Sequence, residues 1–328
     1  MDFDTFKKDM VRWMQDRTGE EYCIRDVVKN NDNHYTAITK VFGENGNMSV
    51  APTIYLEPLY NQMQNEGMTF AAAATIVETN FSQAEEYIQY KNLPDFNDYG
   101  SCRDKIYAQL VNLPNNEDYL RRAPYKEMAG DLAISYRFLA GYDQEGLAST
   151  LISNDMLNAW GISKEELHDT AMKNTPNLFP VKLQSLVDTM LEKVPEEMRE
   201  AVEAEYRVDG PQMYVLTNVT ELNGATALLY PDTQQMIQDV FDEEVFILPS
   251  SIHECMIVPQ SLMTREEAIE LVNEANHTVV RPQDYLSSSI YEYDGAEISN
   301  LNLYAEYNDF DLEDFETQTP EDGMEPEL

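Results

Sequence analysis

The residue types best suited to chemistry lie together in the segment Ser250-Ser251-Ile252-His253-Glu254-Cys255. A histidine can act as a general base and a serine or cysteine as a nucleophile, with a carboxylate orienting the imidazole. Here His253 would be the base and Ser251 or Cys255 the nucleophile. The segment therefore raises the hypothesis of a hydrolase-like enzyme that uses the turn 250–254, with Ser251, His253 and Glu254 as candidate catalytic residues.

Strand geometry argues against a triad built within this segment. In an extended strand, residues 251, 253 and 255 share one face, with neighbours about 6.5–7 Å apart and therefore beyond hydrogen-bond reach. Glu254 would point to the other face. We favour a structural interpretation, in which the serine hydroxyls bond the backbone of a hairpin turn and His253 packs at a strand end.

Other chemistries have weaker support in the sequence. Its histidines and cysteines are His34, His168, His253, His277, Cys23, Cys102 and Cys255. No two histidines have the spacing of a helical zinc site, and the cysteines form no CxxC pair. The phosphate-binding and nucleophile-elbow patterns GxGxxG, GxxxxGK[ST] and GxSxG do not occur. We expect no cofactor, whereas a carboxylate-only Mg²⁺ or Ca²⁺ site stays open because acidic residues are plentiful.

The charge of the chain excludes several classes of partner. Sixty Asp and Glu face 22 Lys and Arg among 328 residues, a formal net charge of −38. DNA carries one negative charge per about 1.7 Å of axis, so direct nucleic-acid binding is disfavoured, and so is docking on an anionic membrane. With 43% apolar residues, 12 Phe and 20 Tyr, the chain has enough apolar side chains to fold. The expected partner is another protein with a basic surface.

The two ends of the chain differ in composition. The first residues carry no apolar run of the signal-peptide type, and no segment reaches the roughly 18–20 apolar residues of a membrane span. We therefore expect a cytoplasmic protein. From Pro282 onward the sequence contains 14 acids and no Lys or Arg. This acidic C-terminal tail, 297–328, is expected to be disordered when free, and Phe310, Leu312 and Phe315 are candidate partner-binding residues within it.

Hydrophobic periodicity divides the rest of the chain into two units. Residues 1–93 are predicted to form an α-β-β-β-α-α unit, opened by an amphipathic helix at 2–17. Residues 94–125, which contain three prolines, are predicted to form a helical connector with a helix at 103–112. Residues 126–296 are predicted to form a second unit of β-hairpins and helices. Since hairpins dominate, the expected fold class is α+β, with largely antiparallel sheets flanked by helices.

Within the second unit, capping signals and alternation predict individual elements. Ser163 and Thr264 each precede a glutamate by three residues and are expected to open helices. Helices are also predicted at 181–194, 196–206 and 232–241. Strands are predicted at 132–140, 147–153, 213–218, 225–230, 245–248 and 254–258. Trp160-Gly161 could mark an anion-binding helix start, but we favour a tryptophan that anchors a glycine turn.

Four segments carry a resemblance to a known family. They are Trp160-Gly161-Ile162-Ser163-Lys164-Glu165-Glu166-Leu167, Tyr214-Val215-Leu216-Thr217-Asn218, Ile247-Leu248-Pro249-Ser250-Ser251-Ile252-His253-Glu254 and Pro52-Thr53-Ile54-Tyr55-Leu56. In these segments the chain resembles an uncharacterised bacterial "domain of unknown function" family, found in gut bacteria and often encoded among genes of mobile elements. The resemblance covers most of the chain and implies no activity.

Three functional hypotheses follow from the sequence. The leading one is a non-enzymatic, cytoplasmic interaction or regulatory protein with an acidic surface. The second is the hydrolase-like enzyme with its site at the turn 250–254. The third is a nucleic-acid mimic that inhibits a DNA-binding protein, which requires a regular array of surface acids.

Overall fold

The structure, a computed structural model, describes residues 1–41, 52–91, 93–128, 130–143, 146–207, 210–293 and 302–304. Helices alternate with three sheets whose described strands all pair antiparallel, which confirms the predicted α+β class. Among these described residues, no helix is both long enough and apolar enough to cross a bilayer.

The first sheet and its helices come from residues 3–91. They are α1 (Phe3–Thr18), β1 (Tyr22–Lys29), β2 (Asn33–Lys40), β3 (Thr53–Tyr55), α2 (Glu57–Asn65) and α3 (Phe70–Lys91). Helix α1 begins where the Asp2 carboxylate accepts a hydrogen bond from the Thr5 backbone, and it buries Phe6, Met10 and Met14. These three side chains join β-sheet and α3 residues in a separate apolar core, as the 3.6-residue spacing predicts.

The second sheet is built on one long strand. Its strands are β4 (Ile106–Asn112), β5 (Tyr125–Glu127), β6 (Leu132–Asp143) and β7 (Gly146–Leu151). β4, β5 and β7 all pair with β6. The helices that accompany it are α4 (Tyr99–Cys102), α5 (Glu117–Arg121), α6 (Asn154–Trp160) and α7 (Lys164–Leu178). The Ser163 hydroxyl accepts a hydrogen bond from the Glu166 backbone and opens α7, as predicted.

The third sheet has the strand order β13-β12-β10-β11-β9-β8. Its strands are β8 (Val181–Ser185), β9 (Tyr214–Asn218), β10 (Val245–Leu248), β11 (Cys255–Pro259), β12 (Ile290–Tyr293) and β13 (Asn302–Tyr304). The helices of this part are α8 (Leu186–Lys193), α9 (Glu196–Tyr206), α10 (Pro231–Val240) and α11 (Arg265–Thr278). Thr264 and Glu267 form the predicted capping box of α11.

The predicted helix at 103–112 is wrong, because residues 106–112 form strand β4. Every residue of β4 is buried, so no alternation of polar and apolar positions distinguishes the strand from a buried helix. β4 pairs with β6 along its whole length, from Ile106 opposite Phe138 to Asn112 opposite Leu132. The connector 94–125 is therefore not purely helical, and it supplies a strand to the sheet that holds residues 132–151.

Two further elements differ from the prediction. The helix predicted at 181–194 is a strand, β8, followed by the short helix α8, which the Ser185 hydroxyl caps. The strand predicted at 225–230 is a 3₁₀ turn over Gly224–Leu229, most of it buried. In both places tertiary packing outweighs local propensity. The short strand β13 lies within the predicted tail and pairs with β12.

The turn between β1 and β2 is hydrogen-bonded to two later segments of the chain. Asn31 adopts a left-handed conformation with φ of 58° and is buried. Its side-chain amide donates to the carbonyls of Pro282 and Tyr285, at 2.7 and 2.8 Å. Its backbone N–H donates to Asn116 Oδ1, and Asn116 Nδ2 returns a bond to Asn31 Oδ1. The neighbouring Asp32 carboxylate accepts two backbone N–H groups at the start of α5.

Candidate functional site

The turn 250–254 connects β10 to β11 and is fastened to the segment before β12. The Ile252 N–H donates to the Asp284 carbonyl at 2.8 Å, and the Leu286 N–H donates to the Ser250 carbonyl at 3.0 Å. Ser251 forms an isolated β-bridge with Tyr285. Asn31 donates to the Pro282 and Tyr285 carbonyls, so this segment is hydrogen-bonded both to the turn 250–254 and to the turn between β1 and β2.

Both ring nitrogens of His253 are engaged. Nδ1 accepts the backbone N–H of Asn223 at 3.2 Å, and Nε2 lies 3.2 Å from Asp284 Oδ1. In the neutral ring, Nδ1 as the acceptor places the proton on Nε2, where it is donated to the carboxylate. Burial raises the pKa of Asp284, but hydrogen bonds and charge from His253 and Arg281 outweigh burial and hold it below its ordinary value. The pair resembles the orienting half of a hydrolytic triad.

The remaining candidate residues of the turn do not complete a triad. The Ser251 hydroxyl accepts the backbone N–H of His253 at 3.1 Å. Cys255 is fully buried, and burial raises the pKa of its thiol far above the ordinary value. Glu254 is half-buried. Among the described residues no hydrogen bond joins the imidazole to a serine hydroxyl or a thiol, so this geometry orients His253 without giving it a nucleophile to activate.

The turn 250–254 packs closely against the end of β9 and the 3₁₀ turn that begins at Gly224. Thr217 of β9 donates its hydroxyl to the His253 carbonyl at 2.8 Å, and the Ala225 N–H donates to the Ile252 carbonyl at 3.1 Å. A Cβ atom on Gly224 would lie 2.0 Å from Thr217 Oγ1 and 2.4 Å from the His253 carbonyl oxygen. Glycine is therefore required at position 224.

A buried polar cluster surrounds Asp131, and no motif in the sequence indicates it. The Asp131 carboxylate accepts hydrogen bonds from the Ser287 hydroxyl at 2.8 and 3.0 Å, from the Tyr291 hydroxyl at 2.7 Å and from Asn112 Nδ2 at 3.2 Å. Burial raises the pKa of Asp131 despite these bonds. Ser287 and Tyr291 are fully buried, so the cluster is closed to substrates and fastens β12 to the second sheet.

A second histidine contact joins α7 to the second sheet. His168 Nδ1 lies 3.0 Å from the Tyr136 hydroxyl, and Lys126 Nζ lies 3.1 Å from Nε2. An ammonium group can only donate, so Nε2 is the acceptor and the ring is neutral. Partial burial, followed by the charge of Lys126, lowers the pKa of His168.

The tryptophan, glycine and remaining cysteines that the sequence singled out occupy positions in the packing of the fold. Trp160 ends α6 and donates its indole N–H to the Phe96 carbonyl at 2.9 Å, while Gly161 adopts a left-handed φ of 67°. Cys23 is half-buried, and burial raises the pKa of the buried Cys102 to about 11. The described ranges contain no group of three His, Cys, Asp or Glu side chains suited to a metal ion. Phe310, Leu312 and Phe315 lie outside the described residues.

Helix α9 presents an unusual surface. None of its residues is buried, although it contacts α8. Met198, Val202 and Tyr206 recur every four residues and share one face. Met198 is 53% exposed and Tyr206 47% exposed, so this stripe is open to solvent for most of its length. The helix also carries the glutamates Glu196, Glu197, Glu200, Glu203 and Glu205, against the single cation Arg199.

Fold and surface together define an acidic α+β protein built around three antiparallel sheets. The chain belongs to a family of unknown function, DUF5688, whose family model matches residues 3–295. This match confirms that the chain falls in a domain-of-unknown-function family, as the four segments indicated. No curated protein and no solved structure matches the chain.

Proposed function

We propose that this chain is a non-enzymatic interaction or regulatory protein of the cytoplasm, which docks on a partner protein with a basic surface. The observation that carries the proposal is the solvent-exposed apolar stripe of α9, bordered by an excess of glutamates. A helix that buries none of its own residues contributes little to the core of its own chain. Its apolar face is available to a partner.

The stripe has the spacing by which amphipathic helices bind grooves. Such helices present apolar anchors at i, i+4 and i+8 to an apolar cleft of the partner. Full burial of a methionine contributes roughly 1.5–3 kcal/mol relative to full exposure. Met198 and Tyr206 are about half exposed, so each would add about half of that amount, as apolar anchors beside the charged contacts. Five glutamates would favour a cleft rimmed by lysine and arginine, and would accelerate association at low salt.

Paired variants test this docking surface. Met198→Asp combined with Tyr206→Asp places charge on the stripe, whereas Val219→Asp combined with Val279→Asp changes two other exposed apolar residues, 58% and 78% exposed. Each variant would be used to capture partner proteins from the native host after cross-linking, and the amounts captured would be compared. The stripe variant should lose the partners that the control retains, and capture should weaken with salt. Equal capture by both variants, at unchanged melting temperature, would contradict the proposal.

The acidic tail supplies a second part of the proposal. Its acids would steer the chain towards a basic partner, and Phe310, Leu312 and Phe315 would anchor the contact. A truncation for this test should remove residues 306–328, because β13 at 302–304 belongs to the third sheet. Phe310→Ala with Phe315→Ala should weaken capture more than neutralising two flanking acids does. If the truncated chain captures every partner, the tail has no docking role.

The two other hypotheses have less support. A hydrolase at the turn 250–254 would need His253 to receive a proton, yet Nδ1 is occupied by a backbone N–H and Nε2 faces a carboxylate. Nucleic-acid mimicry would appear in the capture experiment as DNA-binding partners that duplex DNA displaces. The resemblance implies a bacterial protein encoded among genes of mobile elements, and that setting is compatible both with a protein-binding regulator and with a nucleic-acid mimic.

A further inference from the structure

The side chain of Lys126 on β5 ends beside a histidine. Its Nζ atom lies 3.1 Å from His168 Nε2 on α7. Lys126 is exposed and His168 is half-buried, so the amine can be reached from solvent. Lys40 and Lys182 each pair with two glutamates, whereas no carboxylate in the described part of the chain forms an ion pair with Lys126. The hydrogen-bond partner of this amine is therefore a group that can take up a proton.

Strand pairing and a buried hydroxyl fix the imidazole of His168 beside the amine. Lys126 lies opposite Ile134 in the β5–β6 pair, and Tyr136 follows two residues further along β6 on the same face. The Tyr136 hydroxyl lies 3.0 Å from His168 Nδ1, and the two rings meet edge-on with centroids 6.0 Å apart. Since Nε2 accepts from Lys126, Nδ1 carries the ring proton and donates a hydrogen bond to the tyrosine oxygen. Tyr136 is fully buried, so this contact holds the ring in one orientation.

These three side chains have the arrangement of an activated nucleophile. Such a site needs an attacking atom, a base within hydrogen-bond distance of it and a group that orients the base. Lys126, His168 and Tyr136 supply these parts in this order. A neutral lysine amine donates one N–H to Nε2 and keeps its lone pair free to attack an electrophilic carbon. Partial burial, followed by the charge of Lys126, lowers the pKa of His168, which keeps the ring neutral and ready to accept a proton.

We propose that Lys126 is a modification site whose Nζ atom takes the acyl group from a small acyl thioester. The amine attacks the thioester carbonyl carbon and forms a C–N bond, and the C–S bond breaks. The amine proton passes to His168 Nε2, and the imidazolium later returns a proton to the departed thiolate. The products are an amide on Lys126 and a free thiol, and nothing is oxidised or reduced.

A thioester is the class of acyl donor that these groups suit. A thiolate is a weak base and departs without an acid catalyst, whereas the leaving group of an ester or amide must be protonated as it departs. The charge of Asp169 favours the imidazolium that forms when Nε2 takes up the proton. Acylation removes the positive charge of Lys126 and so makes this surface more acidic. The site lies on β5 and α7, so it is independent of the docking stripe on α9.

Acetylation of the full chain by S-acetyl-N-acetylcysteamine tests the proposal. This thioester is uncharged, so the net charge of −38 does not repel it. Mass spectrometry of peptides follows the acetylated fraction of each lysine over time. Lys173 is the internal control, because it is exposed on the same helix while both ring nitrogens of His168 have other partners. We expect Lys126 to react about tenfold faster than Lys173, less than the roughly 100-fold or more that a base contributes in an enclosed site.

Matched variants separate a base from a mere hydrogen-bond partner. His168→Gln keeps an amide that can bond both Lys126 and Tyr136 but cannot take up a proton, so the rate at Lys126 should fall to that of Lys173. Tyr136→Phe keeps the aromatic packing but frees the imidazole, and should lower the rate at Lys126 by a smaller factor. His277→Gln, on the exposed face of α11, should change neither rate.

The comparison within the wild type does not depend on any variant. Equal rates at Lys126 and Lys173 would overturn the proposal, and so would an unchanged rate at Lys126 in a folded His168→Gln. Melting temperatures identify variants that do not fold. If His168→Gln is one of them, an unchanged rate at Lys126 in Tyr136→Phe would overturn the role of the histidine.

Discussion

The backbone N–H of Leu110 donates to the hydroxyl of Thr226 at 2.9 Å, and so joins the middle of β4 to the 3₁₀ turn 224–229. β4 lies at the end of its sheet, where every second N–H lacks a strand partner. Ala108 donates in the same way to Thr175 of α7, also at 2.9 Å. Two threonine hydroxyls thus take the place of a neighbouring strand and allow the edge to be buried.

Replacing Thr226 by valine should destabilise the fold. The substitution preserves shape but leaves the buried Leu110 N–H without an acceptor, which costs about 1–3 kcal/mol. Thr79→Val is the control, because the Thr79 hydroxyl is exposed and bonds only within its own helix. Chemical denaturation followed by circular dichroism measures both variants. Equal stability of the two would show that the threonine contact contributes nothing.

Gly224→Ala should be among the most damaging small substitutions. Its Cβ would lie 2.0 Å from Thr217 Oγ1 and 2.4 Å from the His253 carbonyl oxygen, so the backbone must move. We expect a loss of at least about 3 kcal/mol, as for severe overpacking. Gly100→Ala is the matched control, since its Cβ would meet only Asp98 at an ordinary 3.5 Å. Thr217→Ala should not rescue the variant, because the carbonyl contact remains.

Asn31→Ala should loosen the attachment of the first unit. It removes the donor to the Pro282 and Tyr285 carbonyls and one of the two acceptors of Asn116 Nδ2, a combined cost of roughly 2–4 kcal/mol. Hydrogen exchange should increase at 116–119 and 282–285, on the far side of the contact. Asn177→Ala, on the exposed face of α7, should change neither region. Unchanged exchange in Asn31→Ala would mean that apolar contacts alone dock the unit.

Asp284 should make stability depend on pH in the acidic range. His253 and Arg281 hold its folded-state pKa below the ordinary value of 3.8, so its contribution is complete above that value. The contribution is lost as the pH falls through the folded pKa, because the carboxylate must then accept a proton. The difference in unfolding free energy between the wild type and Asp284→Asn should therefore shrink between about pH 5 and pH 3. A constant difference across this range would contradict the lowered pKa.

His253→Ala should affect stability and not catalysis. The variant loses the Asn223 hydrogen bond and the carboxylate contact, and we expect a loss of about 1–3 kcal/mol. A panel of ester, amide and phosphoester substrates, assayed with both proteins, checks the second part. If an activity of the wild type vanishes in His253→Ala at an unchanged melting temperature, the structural interpretation of His253 is wrong.

Local patterns in the sequence were sufficient for a large part of the fold. The spacing of Phe6, Met10 and Met14 predicted α1 and its buried face, and Thr264 with Glu267 predicted the start of α11. The β10–β11 hairpin and the α+β class followed from alternation and turn residues. These features depend on neighbours within a few residues, where helix and strand periodicities differ clearly. The candidate residues of the turn 250–254 were also visible as residue types.

Contacts between residues far apart in the chain were decided by tertiary structure alone. β4 is a strand because β6 and the hydroxyls of Thr175 and Thr226 satisfy its backbone, which no pattern within 106–112 reveals. Asp284 meets His253 because the segment before β12 folds back over the turn. A sequence pattern shows which side chains are apolar and which groups must form hydrogen bonds when buried. Which residues become their partners depends on how distant segments pack together.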